Sequence, residues 1–228
     1  MTFEAKQAIE SADVIVGYKT YVKLVASVVK PGVEIFSGVM GKEVDRAKVA
    51  VDQALEGKCV AVISSGDPGV YGMAGIVLEV AERENAKVPV QIIPGVTAAT
   101  SAAARLGAPL VTDFAVISLS DLLTPWELIE KRLHAAGEAD FVVVLYNPQS
   151  EGRKEPLAKA YEILLKYRKP ETPVGIVKQV GRKGEEANVT TLKELMGCEV
   201  DMATTIIVGN STTRMICKRM VTPRGYNL

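Results

Sequence analysis

The residues whose types and spacing bear on chemistry lie in short polar loops that follow apolar runs. The clearest is Ser64-Ser65-Gly66-Asp67-Pro68-Gly69-Val70-Tyr71-Gly72, directly after Val60-Ala61-Val62-Ile63. Gly66 and Gly69 let a backbone approach a ligand closely or take positive φ. Asp67 can accept hydrogen bonds from loop amides, or from a ligand's hydroxyl or ammonium group. An Asp-Pro-Gly turn without any ligand fits the same residues, and the loop alone does not choose between the two. A second segment, Ile93-Pro94-Gly95-Val96-Thr97, runs into an alanine-rich stretch, where Thr97 suits a helix cap. Tyr146-Asn147-Pro148 and Lys178-Gln179-Val180-Gly181-Arg182 close two further apolar runs in the same way.

Other chemistries are excluded by what the chain lacks. His134 is the single histidine among 228 residues, so a His-based triad or a multi-histidine metal site cannot be built. Its place before Ala135-Ala136-Gly137 reads as a partly exposed helical residue. Cys59, Cys198 and Cys217 are scattered without ligand spacing and read as reduced thiols of a cytoplasmic protein. Lys+Arg and Asp+Glu balance at 27 each with no basic run, which argues against nucleic acid as a partner. No apolar run approaches the ~20 residues of a membrane span. No bound metal is expected.

These loops need elements to hold them. Thr2 can cap a first helix with Ala5, Ala8, Ile9 and Ala12 on one face. Strands are predicted at 13–17, 34–36, 60–63 and 90–93, alternating with helices at 18–29, 43–56, 73–84 and 98–106. That alternation predicts a parallel sheet covered on both faces. Past Ala108-Pro109-Leu110 the rhythm changes, with strands at 114–119, 141–145, 173–177, 204–208 and 215–221. Thr124-Pro125-Trp126-Glu127 reads as a helix start with a Thr cap and Pro at the first position, and Thr191-Leu192-Lys193-Glu194 as a second capping box. Closely spaced strands predict a mixed sheet. The fold class is therefore α/β with two domains, 1–112 and 113–228. Apolar residues at 48% suffice for two cores.

Several of these stretches resemble one family. SGDPGVYG at 65–72, IPGVTAATSAAARLGAPL at 93–110 and DFAVISLSD at 113–121 are similar to the tetrapyrrole methylases, S-adenosylmethionine-dependent enzymes of cobalamin and sirohaem synthesis. Within that family, VGYKTYVKLV at 16–25, LLTPWELIEKRL at 122–133, LYNPQSEGR at 145–153, VGIVKQVGR at 174–182 and TTIIVGNSTTR at 204–214 resemble the precorrin-3B C(17)-methyltransferase group. The resemblance implies two α/β domains with S-adenosylmethionine held in the cleft between them. Carried over by position, it implies cofactor contacts at Ser65, Gly66, Asp67, Val70, Thr97, Ala98, Asn147 and Gly181 or Arg182, with Thr204 and Thr205 as weaker candidates. A cap at Thr97 and a turn at Asn147 are the structural alternatives.

The same resemblance implies methylation at carbon 17 of precorrin-3B or its cobalt-bound counterpart, coupled to contraction of the macrocycle. Any cobalt would arrive with the substrate. Contraction moves protons, so an acid–base group is expected; Ser118 and Lys178 are the catalytic candidates. Ser120, Asp121 and Arg153 are the candidates for substrate binding, and Lys178 and Arg182 could also meet the substrate's acid arms. Lys19 reads as solvated surface. A homodimer is expected. The rival readings are a methylase acting elsewhere on the macrocycle or on a modified protein side chain, and a non-catalytic binding relative. Members of the family open with a strand and a Gly-x-Gly-Pro-Gly loop before a Leu-Thr pair, and Met1-Thr2 stands where that pair belongs. The resemblance therefore leads one to expect a natural protein longer by about one strand and one loop, and either a gap in the first sheet or an unusual pairing that fills it.

Overall fold

The computed structural model describes residues 1–39, 41–150, 152–153 and 155–227. The chain forms two compact units, Met1–Thr97 and Ala98–Leu228.

In the first unit the order is α1 (Phe3–Ser11), β1 (Val14–Tyr18), α2 (Lys19–Val25), β2 (Glu34–Gly38), α3 (Glu43–Leu55), β3 (Val60–Ile63) and α4 (Ala74–Arg83). Thr2 caps α1, its hydroxyl accepting the Ala5 N–H at 3.2 Å. The three strands form a parallel sheet in the order β2-β1-β3. β1 is covered on both faces, as a central parallel strand must be. Ile15 packs with Ile9 and Ala12 of the α1 side and Val22 of α2. Val14 and Val16 pack on the other face against Ala50 of α3. α3 and α4 meet through Ala47, Val51, Val77, Val80 and Ala81. Gly57, at φ +87°, stands just past the end of α3, where the chain must turn left-handed.

The segment 90–93 is not a strand. Among the described residues no backbone hydrogen bond joins 88–94 to a neighbour, and β3 ends the sheet on that side. β-branched residues favour an extended chain, but a strand exists only where a partner completes its ladder. Among the described residues the sheet holds β2, β1 and β3, with no further strand paired to it.

The second unit runs α5 (Ala98–Leu106), β4 (Gly107–Ala108), β5 (Phe114–Ser118), α6 (Trp126–Glu138), β6 (Val142–Tyr146), α7 (Glu155–Leu165), β7 (Pro173–Lys178), β8 (Glu186–Thr191), a 3₁₀ turn (Leu192–Gly197), β9 (Thr204–Val208), β10 (Arg214–Ile216) and β11 (Arg219–Val221). Its main sheet is mixed, in the order β5-β6-β9-β7-β8, with β5 and β6 parallel and the other pairs antiparallel. One face packs on α6, α7 and the 3₁₀ turn through Ile129, Leu133, Leu157, Leu164 and Leu192. The other packs on α5, where Ala99, Ala102 and Leu106 meet Val142, Val144, Val177 and Ile207. A Cβ at Gly175 would overlap the Leu106 side chain, so this mid-strand glycine lets α5 sit close on β7.

That packing explains why the units divide at Thr97 rather than near residue 112: α5 spends its buried face on the second sheet. Four local expectations also differ. β8, an edge strand rich in polar residues, was not foreseen. The predicted strand at 215–221 is instead a hairpin, β10 to β11, turning at Cys217 and Lys218, both with positive φ. At α6, Pro125 occupies the cap position without a side-chain cap. At 191–194 the Thr190 and Thr191 hydroxyls donate to the Glu194 carboxylate at 2.9 and 2.8 Å, and the element is 3₁₀ rather than α-helical.

Candidate functional site

The loop after β3 is held by its own polar groups. The Met73 N–H donates to Ser64 Oγ at 2.9 Å, and Ala74 N–H to the Pro68 carbonyl at 3.0 Å, which joins the loop to the start of α4. Asp67 uses both carboxylate oxygens: Oδ1 accepts the Gly69 N–H and Oδ2 the Gly95 N–H, each at 2.8 Å. Of the alternatives open for Asp67, loop amides are what its carboxylate meets. Gly66 has φ +69°. Close approach is required at two further glycines: a Cβ on Gly72 would lie 2.5 Å from the Pro68 carbonyl oxygen, and one on Gly95 would overlap the Gly66 carbonyl. Ser65, Gly66, Asp67 and Val70 thus share one loop, which is clasped to the segment preceding Thr97. At Gly72 and Gly95 the absent side chain lets the backbone of the loop pack directly on itself or on the segment before Thr97.

In the second unit β5 and β6 are parallel and β9 runs against both β6 and β7. β5, β6 and β7 therefore point the same way, and Ser118, Tyr146 and Lys178 end three strands at one edge of the sheet. Ligands of α/β sheets collect at the carboxyl ends of strands. Asn147 follows β6 with φ +51°, a conformation in which asparagine is among the more tolerant residues. Its Nδ2 donates to Ser118 Oγ at 2.9 Å, and the Ser120 N–H reaches the same oxygen at 3.2 Å. Arg153 donates through Nη1 to the Leu119 carbonyl at 2.7 Å and through Nη2 to the Asn147 carbonyl at 3.2 Å, with Asp121 Oδ1 3.6 Å from Nη1. Ser118, Ser120, Asp121, Asn147 and Arg153 are thereby brought into one network. It borders a cavity of about 190 Å³ lined by Asp121, Trp126, Gly152, Arg153, Glu155, Pro156 and Lys159. In that cavity the Lys159 ammonium lies 5.3 Å from the Trp126 ring centre.

The end of β7 forms a separate cluster. Lys178 Nζ meets Glu199 Oε2 at 3.2 Å. Gly181, at φ +72°, donates its N–H to Glu185 Oε2 at 2.6 Å, and Glu185 Oε1 meets Arg105 Nε of α5 at 2.6 Å. The Gly181 amide, and then the Arg105 guanidinium, hold the Glu185 carboxyl below the usual carboxylate range. The tie is thus present above the ordinary carboxylate pKa and is lost as pH falls through the lowered value. Arg182 donates its N–H to the Gln179 carbonyl at 2.9 Å. Thr204 and Thr205 are buried in β9, with Thr204 Oγ1 donating to Asp201 Oδ1 at 2.7 Å. Ala98 begins α5. The Ala99 N–H beside it donates to the Tyr146 hydroxyl at 2.6 Å. Tyr146 was missed as a site residue; its place as the last, polar-tipped residue of an apolar strand was the available signal. His134, on α6, pairs Nδ1 with the Tyr167 hydroxyl at 2.8 Å. Among the described residues no cluster of three metal-ligating side chains occurs, and no helix is long and apolar enough to cross a membrane.

Residues 1–196 match the family model of the tetrapyrrole (corrin/porphyrin) methylases. A probable cobalt-factor III C(17)-methyltransferase of Salmonella typhimurium is 51% identical over 228 residues, covering 100% of this chain and 94% of that protein. A cobalt-factor III methyltransferase of Priestia megaterium is 52% identical over 230 residues, covering 99% of this chain but only 42% of the longer relative. Among solved structures, that of the methyltransferase CobJ superposes with a TM-score of 0.91 at 37% identity, over 98% of this chain and 93% of CobJ.

Proposed function

The chain belongs to the tetrapyrrole (corrin/porphyrin) methylases, and from that premise we propose that it is an S-adenosylmethionine-dependent C-methyltransferase of cobalamin biosynthesis. Its substrate in this reading is precorrin-3B or the cobalt-bound factor III, methylated at carbon 17 with contraction of the ring. The observation that carries the proposal is the 51% identity to the Salmonella typhimurium relative over the whole of this chain and 94% of that protein.

S-adenosylmethionine, when bound, supplies a methyl group already activated on a sulfonium, so the chain needs no nucleophile of its own. Its work is to hold and orient. The peptide groups of 65–70, Thr97 and Ala98 at the start of α5, and Asn147 are the residues we assign to the cofactor, with Gly181 and Arg182 at its margin. Ser118 Oγ already accepts from Asn147 and from the Ser120 amide. Its oxygen is therefore a poor base, and we assign it to the acid side of a proton transfer. Lys178, paired with the highly exposed Glu199, is the second candidate for that role and for meeting an acid arm of the substrate. Arg153 supports Asn147 from behind, and Asp121 and Ser120 border the same network. A cytoplasmic location and a symmetric homodimer complete the reading; sedimentation of a single 24.4 kDa species at micromolar concentration would count against the dimer.

The test is direct. Purified protein, S-adenosylmethionine and either cobalt-factor III or precorrin-3B should yield a product carrying one further methyl group, located by NMR at carbon 17. Methylation at another carbon would retain the family and overturn the position. Binding of both ligands without transfer would overturn the enzyme.

A further inference from the structure

Tyr146 reaches from the end of β6 to the first turn of α5. The first four N–H groups of a helix have no partner within it, and the phenol oxygen takes one of them, that of Ala99, at 2.6 Å. The Tyr146 carbonyl accepts the Leu119 N–H at 2.8 Å, which ties in the end of β5. The next residue, Asn147, sits in its left-handed turn with its side chain on Ser118 and its carbonyl on Arg153. The ring is partly buried against the core between α5 and the sheet, so the hydroxyl is carried on a fixed arm. One residue thus joins the start of α5, the end of β5 and the Asn147 turn.

We propose that Tyr146 is a positioning residue: its hydroxyl holds the first turn of α5, and with it Ala98, in register with Asn147 so that the two meet the cofactor together. This rests on the S-adenosylmethionine reading given above. The residue acts through Ala99 and Asn147 and needs no contact with the reacting carbon.

Tyr146→Phe removes the hydroxyl and keeps the ring packing. In the cofactor-free protein, exchange of the Ala99 amide with solvent should accelerate at least several-fold. By calorimetry, the Kd for S-adenosylhomocysteine should rise about tenfold, as expected for one lost hydrogen bond, and KM for S-adenosylmethionine should rise in step. kcat at saturation should fall much less, because the positioning defect is recovered once the cofactor is bound. The thermal midpoint should stay within a few degrees of the parent. An unchanged Kd overturns the proposal, whether or not the midpoint drops, since the bond is then structural only. A fall in kcat with KM unchanged overturns it in the other direction, by placing the hydroxyl in the chemistry. Failure of the unsubstituted protein to bind S-adenosylhomocysteine is a separate result, which removes the cofactor reading itself and the positioning role with it.

Discussion

Asp67 shows what single residues contribute here. Its carboxylate bridges two backbone amides that lie on either side of a long chain excursion, at Gly69 and Gly95. Asp67→Asn keeps one acceptor but turns an amide NH2 toward one of those N–H groups, so two donors face each other. S-adenosylhomocysteine affinity should fall about tenfold, in line with a lost charge-assisted hydrogen bond of ~1.5–3 kcal/mol. Gly95→Ala should be worse, because the new methyl overlaps the Gly66 carbonyl and the loop must shift. Calorimetry on both variants checks the order; equal binding by all three proteins would mean that the clasp does not shape the site. The sequence made the glycine-rich loop and its Asp legible, since turn residues break abruptly into the chain after the apolar run 60–63. It did not reveal Gly95 as the partner, because a contact across 28 positions leaves no local pattern. Arg153, a candidate for substrate binding, lines the cavity and also gives two of its nitrogens to the Leu119 and Asn147 carbonyls, a role the sequence did not show. Whether a side chain meets ligand or backbone depends on neighbours that only the fold brings up.

Among the elements, helices were the most legible, because their apolar period and stop signals are local. α3, α4 and α5 lie within a residue or two of their expected ranges. Strands were legible where both faces are buried, as in β1, β6 and β9. They failed where pairing decides. β8 has little apolar signal and exists because β7 offers its edge, whereas 90–93 has the signal and no ladder. The physical consequence is measurable. Amides at Val90, Gln91, Ile92 and Ile93 should exchange with solvent near the rate of an open chain, while those of β1 should be protected by the pairing on both sides. Strong protection at 90–93 would mean that a partner pairs with this segment in solution.

For the whole molecule, burial is uneven. β6 and β9 are fully buried apart from Tyr146, and β7 nearly so, whereas β2 is largely exposed and β3 is only partly covered. The second unit should therefore contain the slowest-exchanging amides, in β6, β7 and β9. Its sheet has a second support besides apolar packing. Arg168 is buried and donates to the carbonyls of Gly209, Gly137, Tyr167 and Phe141 at 2.8–3.1 Å, with Asp140 3.1 Å away. The Phe141 carbonyl lies at the entry to β6 and that of Gly209 at the exit from β9, which in this antiparallel pair are the same end, so one guanidinium fastens that end of the pair to α6. Burial pulls its pKa down and Asp140 pulls it up, and it stays charged at any physiological pH. Arg168→Leu would remove the cation and leave carbonyls such as those of Phe141 and Gly209 without this donor, while Asp140 keeps Ser211; at ~1–3 kcal/mol for each buried group left unsatisfied, the cost is about 3–5 kcal/mol. For a chain of this size that is a fall of roughly 6–20 °C in thermal midpoint. Hydrogen exchange should show the loss in β6 and β9. Arg168→Lys should recover only part of it, since an ammonium cannot fan out to carbonyls in so many directions. If the Leu variant melts with the parent and keeps the slow amides of β6 and β9, the sheet is held by apolar burial alone and the guanidinium is dispensable.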